Sequence, residues 1–392
     1  GLPAWAAQRL WIGAILFAAG TGVLAFGRTI KWRGVGPVVA AFAYMLTPYT
    51  LQYATRTSVL LLPFAALPWL LAFTERALRE RGWRWPAALA LVAVAASGAN
   101  PAAFLMVVPG VVLWIIFALV ARDTTWREVF GVVVRTGVLA LGTCALWIVS
   151  LLIEGRYGLN ILLYTETLPQ VAVAATAMEA FRGLGYWLFY GEEARDPNVT
   201  AAKAYLLWRP TMALSYALPL LAVIAAFITR WRYRAFAIAL VLTGVLLGVG
   251  TYPSGDSSIV GQAFEKVAGS GLGLALRSSS RAVPLSVLGL ALLLGAAADA
   301  LSRRSRQLGL VALCALVVAA MVNLLALFNG NFVDPNFSRV ADIPTAWTDA
   351  AAALDGNPQS RVLELPGSQF AAYRWGLTYD TPILPTLLDD RP

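Results

Sequence analysis

Between Glu154 and Trp187 a chain of mostly apolar runs turns polar. EGRYGLNILLYTETLPQVAVAATAMEAFRGLGYW brings together Glu154, Arg156, Tyr157, Tyr164, Glu166, Glu179, Arg182, Tyr186 and Trp187. Guanidinium and carboxylate groups in one stretch suggest two chemistries. The planar fork of an arginine matches the oxygens of a phosphate. A carboxylate can take a proton from an attacking hydroxyl. Arg156 and Arg182 are therefore phosphate candidates, and Glu166 is a candidate acid, base or sugar-binding group. Two other places carry the same possibility. Arg56 is the one charge in TPYTLQYATRTS, and Arg277 and Arg281 flank three serines in LALRSSSRAVPL. For each, the alternative is an ion pair with a neighbour or a side chain reaching to lipid headgroups.

Other chemistries are excluded by what the chain lacks. There is no histidine, which removes His-based acid–base work, Ser-His-Asp hydrolysis and His-ligated metal from this segment. Cys144 and Cys314 sit inside apolar runs with neither CxxC spacing nor a disulfide framework. GSGLGL at 269–274 lacks the Lys-Ser/Thr that completes a nucleotide phosphate loop. No Asp-x-Asp and no Rossmann turn is present, so a soluble nucleotide sugar is not the expected donor. No cofactor is evident, and nothing in the sequence supports a divalent metal. The triplet Asn198-Val199-Thr200 fits a glycosylation acceptor, a pattern common by chance.

The elements that must position these residues are membrane spans. Of 392 residues, 59% are hydrophobic and 13% charged, the composition of a polytopic membrane protein. Apolar runs near 10–26, 35–48, 58–74, 86–98, 101–120, 129–153, 211–229, 235–251, 282–301 and 307–327 predict about ten spans, the second and fourth of them short. Every second connection is basic: Arg28, Lys31 and Arg33; Arg76, Arg79, Arg81 and Arg84; Arg122 and Arg127; Arg230, Arg232 and Arg234; Arg303, Arg304 and Arg306. The positive-inside rule makes all five cytoplasmic. The net charge of +9 is then topological, and no nucleic-acid partner is expected.

This topology places Gly1, the loops 154–210 and 252–281, and everything after Leu327 outside an integral plasma-membrane protein. It predicts a transmembrane domain over 1–329 and, over 330–392, the start of an extracytoplasmic α/β domain, with a helix near 344–354 and a strand at RVLELPG. An outward start without a leader predicts that an earlier span precedes Gly1. Thr176 to Tyr190 has helical spacing, with Trp187, Tyr186 and Tyr190 suited to an interface, and predicts a helix lying in the interface plane. Gly244 and Gly248 form a GxxxG pair, read as close helix packing.

Three stretches resemble a known family. Arg156, Tyr164-x-Glu166, Arg182-Gly183 and Trp187 resemble the corresponding loop of the actinobacterial α-(1→3)-arabinofuranosyltransferases, which are GT-C glycosyltransferases. LTPYTLQYATRTSVLLLPFAALPW, with Pro48, Arg56 and Pro63, is similar to the family's early spans. ELPGSQFAAYRWGLTYDTPI, with Pro366-Gly367, Phe370, Trp375-Gly376, Asp380 and Pro382, is similar to the start of its outer region. The resemblance implies a GT-C-like helix bundle, a polyprenyl-phosphate arabinofuranose donor, a cell-envelope arabinan acceptor and contact with membrane lipids. It implies Arg56, Arg156, Tyr164, Arg182 and Trp187 as substrate-binding residues. It also implies that the main catalytic carboxylate lies in an outer loop preceding this chain, leaving Glu166 secondary. Leu159-Asn160 and Ser278-Ser279-Ser280 depart from the family's pattern. The competing readings are a transporter or flippase for a lipid-linked glycan, with Arg135 and Asp299 as in-span charges, and a non-catalytic envelope assembly protein.

Overall fold

The computed structural model describes residues 2–54, 57–158, 162, 165–193, 196–197, 199–330, 343–355, 362–363, 371–373, 375–379 and 383–388. Arg56, Tyr164, Leu159, Asn160, Asn198, Pro366, Gly367, Phe370, Asp380 and Pro382 lie outside them.

Each predicted apolar run contains a helix: α1 (Ala4–Thr29), α2 (Gly36–Met45), α3 (Leu61–Arg79), α4 (Arg84–Ser97), α5 (Val108–Val120), α6 (Trp126–Tyr157), α7 (Arg209–Ile228), α8 (Arg234–Val249), α9 (Val283–Arg304) and α10 (Arg306–Asn323). Among the described residues, seven helical segments are long and apolar enough to cross a membrane, so this is a polytopic all-α membrane bundle. The lengths account for seven spans rather than ten. Helix α5 reaches spanning length together with the short helix Pro101–Leu105 before it, a segment of 20 residues, whereas α2, α4 and α8 have 10, 14 and 16. At 1.5 Å per residue they reach about 15, 21 and 24 Å, against a hydrocarbon core of about 30 Å. The second and fourth runs look short in the sequence too; the eighth stops early because Gly250 adopts a positive φ of 54° after Val249.

Most of α3 and α9 is buried, whereas α6 is nearly bare along its 32 residues. Helix α9 packs against α8, α2, α10 and α7, and is the hub of the bundle. The glycines decide how closely α8 approaches it. A β-carbon added at Gly244 would lie 2.2 Å from Ser286 N, and one at Gly289 would lie 2.5 Å from Ala237 O. Gly248 faces Val283 and Ala180. The GxxxG pair is thus a packing device, as its pattern predicts.

Contacts between connections sort the helix ends. At one end, Trp32 packs on Trp231 with ring centroids 4.7 Å apart, Arg232 bonds Asp123 at 2.5–2.6 Å, and Asp299 at the foot of α9 accepts from Trp32 Nε1 at 2.5 Å. The first, fifth, seventh and ninth connections, all basic in the sequence, therefore share an end. At the other end, Gln52 bonds Gly183 and Tyr186, and Tyr53 bonds Ser280. The second, sixth and eighth connections meet there.

Two carboxylates sit buried at the basic end, and both are satisfied. Asp299, 4% exposed, also accepts from Gly36 N at 2.7 Å, at the N-terminus of α2 where the helix dipole favours an anion. Gly34 and Gly36 leave the room: a β-carbon at Gly36 would lie 2.5 Å from Asp299 Oδ2. Glu75 accepts from Arg79 Nε and from Trp114 Nε1, the latter at 3.1 Å, tying α3 to α5.

The chain divides into two compact units, Gly1–Phe332 and Val333–Pro392. The second holds a helix, Thr345–Asp355, and an antiparallel hairpin that pairs Tyr373 with Gly376. Tyr373 stacks on Trp375 at 4.9 Å and meets Trp347 edge-on. Val362 and Leu363, the described part of the stretch expected as a strand, are not in one.

Replacing Asp299 by Ala strands the Trp32 and Gly36 donors, at about 1–3 kcal/mol each. The thermal midpoint of the full-length protein in detergent is expected to fall, and to fall less for Asp299→Asn; an unchanged midpoint in Asp299→Ala refutes the role. Gly244→Val is expected to destabilise by roughly 1–3 kcal/mol or more through overpacking. Gly13→Val, where nothing lies within 4 Å of the added carbon, is the control. Equal midpoints for the two glycine variants count against the close approach.

Candidate functional site

The polar stretch folds as a series of short capped turns. Thr167 and Gln170 form a capping box that starts the helix Leu168–Ala172. Thr176 accepts from Glu179 N at 3.1 Å and starts Ala177–Phe181. Gly183 and Gly185 then take positive φ of 81° and 105°, and the chain reverses into Trp187–Tyr190. The interfacial helix expected over 176–190 is therefore absent. Two positive-φ glycines break it, and Ala180, Arg182, Leu184, Tyr186 and Phe189 are buried. Gln52, on the short helix Tyr49–Ala54, holds the turn: it donates to Gly183 O at 3.0 Å and accepts from Tyr186 N at 2.8 Å.

Arg182 is 4% exposed and closed on itself by partners. Its Nη2 lies 2.7 Å from Glu179 Oε1, its Nη1 donates to Ser215 Oγ at 3.3 Å, and its guanidinium stands 4.8 Å from the Tyr216 ring. The Tyr190 hydroxyl donates to Glu179 Oε2 at 2.5 Å and accepts from Arg182 at 3.4 Å. Burial works against the guanidinium's charge, but Glu179 and Tyr190 outweigh it, and the net shift is upward. Burial, then Glu179, pushes the Tyr190 phenol above its ordinary range, so it stays a donor. The charge of Arg182 is already matched.

A second cluster forms where the two long connections meet. Glu166 accepts from Ser278 Oγ at 3.1 Å and lies 3.5 Å from Arg277 Nη2. Arg277, 5% exposed, also donates to Thr165 Oγ1 and, at 2.8 Å, to Leu274 O. One turn on, Ser280 Oγ lies 3.2 Å from the Tyr53 hydroxyl, and Tyr53 stacks on Tyr186 at 4.5 Å. Arg281 is close enough to Tyr49, Tyr53 and Tyr186 for its charge to act on all three phenols. Burial nonetheless holds these phenols above their ordinary range, so they are neutral donors. Among the described residues Arg281 has no ion-pair partner, and the Nε atoms of Arg277 and Arg281 are buried without a hydrogen bond. Two arginines against Glu166 leave the cluster one positive charge in excess.

The loop is placed by the helix packing below it. Ser279 Oγ donates to Gly248 O at 2.9 Å, and Ser286 Oγ donates to Ala180 O at 3.2 Å. The bare Gly248 surface lets both loops close onto α8.

The sequence candidates therefore separate. Glu166 joins the cationic cluster and Arg182 the neutral one. Arg156 joins neither: α6 runs on to Tyr157, and Arg156 stays exposed with its guanidinium 5.5 Å from the Tyr157 ring. Trp187 is half-buried against the bundle core, with its Nε1 buried and unpartnered. Arg56 and Tyr164 fall outside the described residues. The sequence marks Arg277 and Arg281 only as two arginines around three serines. The bonds from Arg277 to Thr165 and from Ser278 to Glu166, each 112 positions earlier, have no local signal.

Comparison with known proteins agrees with this architecture. Residues 1–391 match the family described as alpha-(1->3)-arabinofuranosyltransferase, N-terminal GT-C domain. Alpha-(1->3)-arabinofuranosyltransferases of Mycolicibacterium smegmatis and Mycobacterium tuberculosis are 31% and 29% identical to it over 100% of this chain. The chain spans 28% and 29% of their lengths. A cryo-EM structure of arabinofuranosyltransferase AftD from Mycobacteria superposes on 99% of this chain and 25% of its own, with a TM-score of 0.66 at 21% identity. The helical membrane bundle and the family match over nearly every residue lead to one conclusion: the chain belongs to the α-(1→3)-arabinofuranosyltransferase family, as its N-terminal GT-C domain.

Proposed function

We propose that this chain is the membrane domain of an enzyme that transfers arabinofuranose from a polyprenyl-phosphate donor to a cell-envelope glycan on the outer face. One observation carries the reading. The Glu166–Arg277–Ser278–Ser280–Arg281 cluster has an excess positive charge, buried guanidinium nitrogens without partners, and neutral phenol donors beside them. An anion completes such a set, and the fork of a guanidinium suits a phosphate. The basic connections gather at the opposite end of the bundle, which supports placing the cluster on the outer face.

The reaction is a displacement. An acceptor hydroxyl attacks the anomeric carbon, a new C–O bond forms, and the bond from that carbon to the phosphate oxygen breaks. The polyprenyl phosphate departs with the electron pair, and Arg281 and Arg277 stabilise the charge that grows on it. The proton of the acceptor hydroxyl goes to a carboxylate. Glu166 suits this poorly, because both its oxygens are engaged by Ser278 and Arg277. It positions Arg277, and the base is a group outside this cluster. A transport path is not supported by the in-span charges. Asp299 is occupied by Trp32 and Gly36, and Arg135 Nε donates to its own helix at Gly131 O.

In the full-length enzyme, with membranes and a radiolabelled polyprenyl-phosphate arabinofuranose, Arg281→Ala is expected to lower kcat by about 10²–10³, the scale for losing one charge-stabilising donor. Arg156→Ala should stay near the wild type. Unchanged turnover in Arg281→Ala rejects the cluster as the phosphate site, and movement of the labelled lipid without transfer in the wild type rejects the enzyme. Glu166→Gln tests the proton assignment: a positioning role predicts a loss well short of the ~10²–10⁴ of a general base. A loss of that size, with a shifted pH profile, would make Glu166 the base.

A further inference from the structure

A separate slot opens beside the Arg182 ion pair, away from the cationic cluster. Its walls are apolar, with Leu46 just past α2, Leu218 of α7, Leu290 and Leu294 of α9, and Leu316 and Ala320 of α10. Arg182, Ser215 and Asn323 line its polar end. The slot runs from the helix ends, at Asn323, toward the middle of the bundle, at Leu316, Leu218 and Leu294. Seven residues of α10 separate Asn323 from Leu316, about 10 Å of helix.

The polar end has two unmet valences of opposite kind. Arg182 Nε is a buried donor and Asn323 Oδ1 a buried acceptor, neither with a partner, in residues 4% and 3% exposed. Tyr205 ties the two places together. It donates to Asn323 O at 2.5 Å and lies within reach of Arg182's charge. Each unmet valence costs stability while it stays empty. The net charge here is already zero, since Glu179 matches Arg182 at 2.7 Å. An anionic head would meet Glu179 and the Asn323 oxygen, and a cationic one would meet Arg182. A hydroxyl answers both valences, accepting from Nε–H and donating to Oδ1. The apolar walls lie within helices of membrane-spanning character, where hydrocarbon is the surrounding medium.

We infer that this slot holds one hydrocarbon chain of an uncharged, hydroxyl-bearing membrane lipid of the diacylglycerol class, its hydroxyl seated between Arg182 and Asn323. The assignment stands independently of the proposed transfer reaction.

The test uses the full-length protein in phosphatidylcholine nanodiscs, with photoactivatable chains on diacylglycerol, phosphatidic acid or prenyl phosphate in separate arms. Labelled positions are read by peptide mass spectrometry. The diacylglycerol probe is expected to label the stretches 215–219, 290–294 and 316–323 with about a tenfold preference over both phosphate probes, the scale of one hydrogen-bonded group. Asn323→Leu should remove that preference while labelling of the bare helix α6 at Leu146 is unchanged. Labelling of α6 without the slot means that water alone fills the polar end, and it overturns the inference. Equal labelling by the phosphate probes, or a preference for the prenyl phosphate, overturns the uncharged head. The wild-type arms decide these outcomes even if Asn323→Leu fails to fold.

Discussion

The bundle depends on how closely α8 can lie against α9. In lipid, apolar side chains gain little by leaving hydrocarbon for a helix interface, so association must come from short-range packing and hydrogen bonds. Gly244, Gly248 and Gly289 supply it by withholding side chains, bringing backbone against backbone. The same contact sets the N-terminal end of α9. Ser279 bonds Gly248 O and Ser286 bonds Ala180 O, so the serine-arginine loop and the 165–190 loop are fixed to one surface. The site is thus an extension of the helix packing rather than a lid laid over it.

The charged groups buried in the bundle are satisfied differently at its two ends. At the basic end, Asp299 and Glu75 are buried and fully engaged. At the opposite end Arg182 is neutralised, yet Arg182 Nε, Arg277 Nε, Arg281 Nε and Asn323 Oδ1 remain without partners. Buried polar atoms are nearly always satisfied in folded proteins; Thr74 Oγ1 and Thr136 Oγ1 are unpartnered as well, but among the described residues the unpartnered guanidinium nitrogens are all at this end. It is the end away from the positively charged connections.

Much of this is visible in the sequence, for identifiable reasons. Span positions follow from apolar runs, and the grouping of helix ends from the basic residues in alternate connections; both are properties of single segments. The GxxxG pair likewise carries its own packing rule. The failures concern groups brought together by tertiary contact. Helical spacing over Thr176–Tyr190 predicts one helix, but periodicity ignores that Gly183 and Gly185 can reverse the chain once Gln52 supplies the hydrogen bonds. Arg156 is one of three arginines, with Arg56 and Arg182, that the sequence offers for a phosphate. The rigid end of α6 holds it exposed, while Arg277, far away in the chain, takes the place beside Glu166. A motif fixes neighbours along the chain, whereas charge balance is settled across it.

That balance also explains why one polar stretch borders two different environments. The turn Gly183–Tyr186 is a shared wall. Gly183 faces Thr47 and Val287 on the slot side, and Tyr186 stacks on Tyr53 on the other. An arginine on each side with no carboxylate would place two cations close together in a low-dielectric region and raise the cost of both. Glu179, three residues before Arg182, removes the charge on the slot side and leaves it at Arg281 alone. In the proposed reading a phosphate is drawn to the Arg281 cluster, and a chain in the slot meets an ion pair of zero net charge. In that reading, this wall separates a hydrocarbon site from an anion site beside it. Its thinness, a glycine turn held by Gln52, keeps the two within a few residues of each other.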